Sequence, residues 1–212
     1  MGKNGDGERV LVSYLTLRRA VGSLGVLLPV LLAVGCVVLG SCTELQDSIS
    51  DYYGTEMRDV FVGVLFAIGW FLFSYRGHER QDDIAGDLAC LFALGVALFP
   101  ATSDSKAIQT VHLLSTAALF LVLSYFSLFL FTKTKKGVSR TPEKEIRNRI
   151  YVACGVIMLA CIASVALYYA LLQNTPVAAI KPVFWLESLA LWAFGWSWFV
   201  KGETLWRDAE GG

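Results

Sequence analysis

Charged residues are scarce in this chain. Asp, Glu, Lys and Arg make up 17% of its 212 residues, whereas an ordinary soluble domain carries about 25%. The formal net charge is zero, so the composition lacks the basic field typical of proteins that bind nucleic acid. With two histidines in the chain, no zinc-type spacing of Cys and His occurs, and no glycine-rich phosphate loop is present. The sequence therefore predicts no metal and no cofactor.

Hydrophobic residues account for 55% of the chain and gather in long runs between short polar connections. A helix needs about 17 to 25 mostly apolar residues to cross a bilayer, and backbone groups in lipid must be satisfied within the helix. This pattern predicts an all-α, polytopic integral membrane protein, with residues 1–212 forming one bundle of six transmembrane helices. The predicted spans are Leu24–Cys42, Asp59–Tyr75, Ile84–Ala101, Ile108–Thr132, Ile150–Leu172 and Pro182–Val200.

The basic residues predict the orientation of this bundle. Of the 18 lysines and arginines, all but Arg58, Lys106 and Lys181 fall on the side of the two termini. Because cytoplasmic loops collect Lys and Arg, both termini are predicted to lie in the cytoplasm. Four of the five cysteines lie inside predicted spans, and Cys42 has no evident partner at the opposite surface. The sequence therefore predicts no disulfide framework.

The segment DSISDYYGTEMRDVF, from Asp47 to Phe61, is more polar than a minimal connection between two spans requires. It lies on the predicted outer side, and we interpret it as the rim of a site. Ser50, Asp51, Tyr52 and Tyr53 are the candidate ligand-binding residues of this rim. Arg58 is predicted to turn toward the acidic residues.

Few ionisable residues lie inside the predicted spans, where each is costly. Asp59 begins the second span, His112 lies about 6 Å into the fourth, and Glu187 lies about 7.5 Å into the sixth. Ser115 follows His112 by one turn. These four residues are predicted to line an outward-facing polar pocket, in which Glu187 and His112 are candidates for an acid–base pair. In the alternative interpretation, Glu187 and His112 bridge helices by hydrogen bonds and Asp59 caps a helix.

Small residues three or four positions apart predict close contacts between helices in a membrane. Three such pairs are candidates for these contacts. They are Gly22 with Gly25, Gly63 with Ala67, and Ala160 with Ser164.

The segment SISDYYGTEMRDVFVG resembles the first-loop signature of the Frag/DRAM/Sfk-type membrane proteins. Ser50, Asp51, Gly54 and Thr55 carry the resemblance. It implies a six-span architecture and, by analogy with eukaryotic members, a role in GPI-anchor remodelling, autophagy or the organisation of plasma-membrane lipids. The little-characterised bacterial relatives of this family suggest a multi-pass protein of the bacterial plasma membrane.

The CREST membrane hydrolases offer a second comparison, because their sites combine Ser, Asp and three His around a metal. This chain has Ser50, Asp59 and His112, but it contains two histidines in total and lacks the paired His-x-x-x-His of their last helix. A zinc hydrolase of this type is therefore disfavoured.

The predicted function is the binding or handling of membrane lipids, with no nucleic-acid partner. One alternative is an intramembrane lipid-processing enzyme that uses Glu187 or His112 as general base. Another is a small transporter, although the broken helices and internal repeat typical of that class are absent. The sequence leaves open whether the chain forms a homo-oligomer or binds a partner membrane protein.

Overall fold

The computed structural model describes residues 3–40, 42–77, 79–134 and 141–202, with side chains from residue 14 onward. Every regular element within these ranges is helical. Two π-helical turns, Phe126–Leu130 and Tyr168–Leu172, continue the fourth and fifth helices, and two short 3-10 helices, Ser50–Gly54 and Pro176–Ile180, lie in connections. The six α-helices are α1 (Lys3–Val38), α2 (Arg58–Ser74), α3 (Arg80–Leu98), α4 (Lys106–Tyr125), α5 (Pro142–Leu167) and α6 (Pro182–Lys201).

Four helical segments are long and apolar enough to cross a membrane. They are Tyr14–Val38, Lys106–Leu130, Pro142–Leu172 and Pro182–Lys201. The all-α prediction is confirmed for the described residues, and these four segments agree with the prediction of a membrane protein. The other two helices are less distinct as spans, because α2 is the shortest, with 17 residues, and the first eight residues of α3 include Arg80, Asp82, Asp83 and Asp87.

The six helices form a closed ring in which each packs against the next in the chain and α6 packs against α1. The connections α1–α2, α3–α4 and α5–α6 meet at one end, which we call the acidic end. The connections α2–α3 and α4–α5 meet at the other end, which we call the basic end. There Arg76 pairs with Asp87 at 3.1 Å, and Lys133 pairs with Glu79 at 2.9 Å.

Helices α1 and α6 approach each other most closely at two glycines. A Cβ built on Gly195 would lie 2.6 Å from the carbonyl oxygen of Gly22, and a Cβ on Gly22 would lie 2.9 Å from that of Gly195. Gly25 packs against the ring of Phe194 one turn away. The contact predicted at Gly22 and Gly25 is therefore formed, against α6.

The other two predicted small-residue contacts are not formed. A Cβ on Gly63 would meet no atom within 4 Å, and Ala160 and Ser164 are exposed on α5. Residues four apart share one face of a helix, but their spacing does not define what that face packs against. Here Gly63, Ala160 and Ser164 are exposed.

A disulfide joins Cys36 and Cys42 at the acidic end, so the expectation that no disulfide forms was wrong. Helix α1 ends at Val38, and Gly40, at a φ of +73°, turns the chain back. The backbone N–H of Cys42 then donates to the carbonyl of Cys36, and the two Cα atoms lie 5.2 Å apart. The other cysteines, Cys90, Cys154 and Cys161, are buried free thiols.

Candidate functional site

The connection between α1 and α2 folds over the acidic end and is centred on the 3-10 helix Ser50–Gly54. The side chain of Tyr52 is buried beneath this helix and contacts the ring of Phe184. The hydroxyl of Ser48 accepts a hydrogen bond from the Asp51 N–H at 3.1 Å, and the Thr55 hydroxyl donates to the Tyr52 carbonyl. Such short-range bonds from Ser and Thr stabilise a turn within its own sequence.

The start of α6 holds this connection from one side. The backbone N–H of Phe184 donates to the Asp47 carbonyl at 3.0 Å, which satisfies one of the free N–H groups of the first helical turn. The Lys181 ammonium lies 2.7 Å from the Asp47 carboxylate. One turn further along, Glu187 Oε2 accepts from the backbone N–H of Ile49 at 2.7 Å. Glu187 therefore ties the connection to α6.

His112 of α4 holds the connection from the other side. Its Nδ1 lies 2.7 Å from the carbonyl oxygen of Phe99, the residue that follows α3. A carbonyl only accepts, so Nδ1 carries the proton and Nε2 is free to accept from the Ser50 hydroxyl at 2.9 Å. Both side chains are buried. Ser115, one turn below His112, packs against Gly95 of α3.

The two candidate catalytic residues therefore bind neighbouring positions of one connection. Glu187 accepts from Ile49, and His112 is hydrogen-bonded to Ser50. His112 is also hydrogen-bonded to Phe99, and no described hydrogen bond joins Glu187 to His112. The direct acid–base pair that the sequence suggested is therefore not formed. Glu187 and His112 instead make two separate hydrogen bonds to the α1–α2 connection, which we call the two ties.

Arg58 and Asp59 lie apart from these ties. The Arg58 guanidinium stacks over the ring of Tyr53 at 4.6 Å and donates to its hydroxyl at 3.0 Å. It does not turn toward the acidic residues as predicted, because an exposed guanidinium gains both the ring contact and the hydrogen bond from Tyr53. Asp59 is exposed in the first turn of α2, where a carboxylate complements the positive end of the helix.

An open cleft of about 430 Å³ lies at the acidic end, beside these ties. Glu44, Asp47, Asp51 and Lys181 supply its charges, and Thr55 and Thr102 add hydroxyl groups. Of the predicted site residues, Asp51 lines the cleft. Glu44, Thr102 and Lys181 were missed, because they come from three different connections that sequence spacing does not bring together.

Lys181 neutralises only part of the acidic charge. It adopts a left-handed conformation, with φ of 55°, immediately before Pro182 begins α6. The hydrogen bond to Asp47, together with the nearby Asp47 and Glu44 charges, raises the pKa of Lys181 above 10.5. The ammonium is therefore charged at neutral pH, and the stabilisation from this pair is lost only as the pH rises through the raised pKa. Among the described residues, Asp51 has no ion-pair partner.

The cleft also borders exposed apolar surface. The 3-10 helix Pro176–Ile180 leads directly into Lys181, and within it Ile180 is 66% and Val177 38% exposed. Trp185, in the first turn of α6, is 51% exposed. Apolar and aromatic side chains at this level are typical of the boundary between lipid and water.

Comparison with known proteins adds no relative: no protein-family model, curated protein or solved structure matches this chain. Within the part of the chain that the structure describes, no group of three His, Cys, Asp or Glu residues is arranged to hold a metal ion.

Proposed function

We propose that all six helices span the membrane, with both termini in the cytoplasm and the acidic end facing outward. The closed ring supports this arrangement, because it places alternate connections at opposite ends. The unequal distribution of Lys and Arg supports the same direction. The Cys36–Cys42 disulfide lies at the acidic end, and disulfides persist in oxidising compartments such as the periplasm or the cell exterior.

This orientation predicts the number of free thiols in protein isolated from the membrane. Unfolded protein that has been alkylated without a reductant should carry three labels, at the free cysteines Cys90, Cys154 and Cys161. After reduction, all five cysteines of the chain should be labelled. Intact-mass spectrometry distinguishes the two states. Five labels without reductant, in protein collected under thiol-blocking conditions, would place the acidic end in a reducing compartment and contradict the proposal.

We further propose that the cleft binds the head group of an outer-leaflet lipid that carries a positive charge, such as an ethanolamine ammonium. The observation that carries this proposal is an open, net acidic cleft bordered by exposed apolar residues. Asp51 and Glu44 are the carboxylates best placed to bind an ammonium group, since Lys181 lies 2.7 Å from Asp47 but 3.9 Å from Glu44. Charge-assisted hydrogen bonds of this kind are the stronger ones in proteins.

The neighbouring features fit a lipid better than a soluble cation. Thr55 and Thr102 add hydroxyl groups to the cleft wall, where they can bond to phosphate or glycerol oxygens. Val177 and Ile180 would contact the adjoining acyl region. The ties through Glu187 and His112 keep the wall of the cleft in place. A lipid-handling role agrees with what the resemblance to the Frag/DRAM/Sfk-type proteins implies.

The proposal is tested by measuring lipid retention in nanodiscs and by native mass spectrometry. Wild-type protein should bind phosphatidylethanolamine in preference to phosphatidylglycerol. The Glu44→Gln, Asp51→Asn double variant should bind it at least about tenfold more weakly, which corresponds to 1.4 kcal/mol. Glu56→Gln is the matched control, because Glu56 is an exposed acid of the same connection that does not line the cleft. Equal retention of both lipids by all three proteins would reject the proposal.

One observation favours a second candidate function, an intramembrane lipid hydrolase. The Ser50 hydroxyl lies 2.9 Å from His112 Nε2, and the Phe99 carbonyl orients the imidazole through Nδ1 at 2.7 Å. A hydroxyl, an acceptor nitrogen and an orienting group in this order form the usual arrangement of an activated nucleophile. In this function His112 is the general base and Ser50 the nucleophile.

A further inference from the structure

Four cationic residues converge at the basic end, and we call them the cation cluster: Arg18 of α1, Lys144 and Arg147 of α5, and Lys201 of α6. Arg18, Lys144 and Arg147 lie near the Lys201 ammonium, and Asp82 also lies near it. Asp82 also lies 3.9 Å from Lys133. Four cationic groups are thus gathered at the basic end of the described bundle.

The cluster surrounds a floor of aromatic rings. Lys201 Nζ lies 5.2 Å from the ring centre of Phe131, whose ring is 5.3 Å from that of Trp198. Trp198 in turn lies 5.3 Å from Tyr75, and the Arg18 guanidinium carbon lies 5.6 Å from Tyr75. Cations from α1 and α6 thus border one continuous set of rings, which excludes water from one side of the cluster.

Two of these cations bind main-chain carbonyl groups at the ends of helices. Arg18 Nη1 donates to the Lys201 carbonyl at 3.1 Å, and Lys144 Nζ donates to the Phe131 carbonyl at 3.0 Å. Cations commonly bind the last carbonyls of helices in this way. Arg18 has further donor capacity, because a guanidinium has five N–H groups.

Two buried donors beside the cluster lack an acceptor within the described part of the chain. Trp198 is 1% exposed, and neither its Nε1 nor Arg18 Nε has a hydrogen-bond partner there. The Lys201 ammonium makes its described contact with the face of Phe131. Buried donors are nearly always paired in folded proteins, so the unpaired N–H groups of Trp198 and Arg18 indicate a missing acceptor.

We propose that the cation cluster is a binding site for a phosphate-class anion, with Lys201, Arg18 and the Trp198 N–H as its donors. A phosphate group supplies the negative charge and several acceptor oxygens, and guanidinium and ammonium groups are its usual partners in proteins. The phosphate belongs either to a lipid head group or to a free phosphate. The proposal depends on the basic end alone, so it stands or falls separately from the acidic cleft.

Two probes distinguish the sources of the phosphate. Full-length protein in detergent is titrated with inorganic phosphate while its unfolding temperature is followed. The same protein is placed in phosphatidylcholine nanodiscs with and without phosphatidic acid, and retained lipid is identified by native mass spectrometry. A saturable rise in unfolding temperature with inorganic phosphate indicates a free-anion site. Retention of phosphatidic acid without that rise indicates a lipid head-group site.

Lys201→Gln should weaken binding of whichever probe binds by at least about tenfold, since it removes one charge-assisted contact. Trp198→Phe keeps an aromatic ring in the floor and removes only the N–H, so it should weaken binding by a smaller factor. Arg149→Gln is the control, because Arg149 is exposed on α5, two residues from Arg147. The absence of saturable binding for both probes overturns the proposal. Equal weakening by Arg149→Gln also overturns it, because it would show that surface charge alone binds the anion.

Discussion

Replacing Gly195 with valine is expected to destabilise the protein by about 3 kcal/mol, the upper range for overpacked sites. The first added carbon would lie 2.6 Å from the Gly22 carbonyl oxygen and 2.6 Å from Val26 Cγ2. The oxygen belongs to the backbone of α1 and cannot turn aside as a side chain would. Relief therefore requires α1 and α6 to separate along their contact.

The consequence is large because helices in lipid are held together mainly by close packing rather than by a hydrophobic effect. Separating α1 from α6 opens the ring at its closure, where the first helix meets the last. The unfolding midpoint in detergent, followed by the loss of tertiary structure in increasing SDS, measures the change.

Gly63→Val is the matched control, because a Cβ added at Gly63 on α2 would meet no atom within 4 Å. We expect its unfolding midpoint to stay within about 0.5 kcal/mol of the wild type, as for surface substitutions. Equal losses from the two variants would show that valine in a helix, rather than the α1–α6 contact, is responsible.

These two glycines also show where sequence reasoning stops. Hydropathy predicted helices at all six windows because a 20-residue apolar run has few alternatives in lipid. It could not predict which face of each helix packs, since spacing along a helix leaves its rotation undefined. Gly63 has a small residue four positions later and faces away, whereas Gly195 lacks a predicted small partner and packs closely against the backbone of α1.

Helix ends were similarly hard to predict. The first window was predicted to reach Cys42, but α1 ends at Val38 and the Gly40 turn brings Cys42 back to Cys36. Residues 39–42 are apolar or small, so their composition continues the helix while the positive φ of Gly40 ends it. A disulfide that depends on such a turn is not visible in cysteine spacing alone.

For the candidate site, the sequence predicted how deep His112 and Glu187 lie along their helices, but it did not predict their hydrogen-bond partners. Placing His112 and Glu187 near one level of the bundle puts both beside the α1–α2 connection, where the structure has them. Their partners include the Ile49 N–H and the Phe99 carbonyl. Main-chain groups are present at every residue, so the sequence gives no sign of which of them a side chain binds.

Removing both ties is expected to release the α1–α2 connection and to abolish binding in the acidic cleft. In the Glu187→Ala, His112→Ala variant, the Ile49 N–H and the Ser50 hydroxyl lose their partners, at about 1–3 kcal/mol for each buried group. Hydrogen exchange of the Ile49 amide should accelerate by about ten- to a hundredfold, the factors that correspond to 1.4 and 2.7 kcal/mol. Glu187→Gln keeps an acceptor oxygen and should retain most of the protection. Unchanged exchange in the double variant would show that the connection is held by other contacts.

Ser50→Ala separates the two candidate functions, because it removes one hydroxyl and leaves both the imidazole and the Glu187 tie in place. If Ser50 only helps to hold the connection, the variant loses about 1 kcal/mol of stability and lipid recovered from the wild type stays chemically intact. This is the result we expect for a head-group-binding protein.

If Ser50 is a nucleophile, wild-type protein converts bound lipid with time, and Ser50→Ala slows that conversion by a factor of about 10³ or more, as in other enzymes that lose their nucleophile. The hydrogen exchange of Ile49 stays nearly unchanged in either case, because Glu187 still accepts from its N–H, so a loss of turnover could not be attributed to release of the connection.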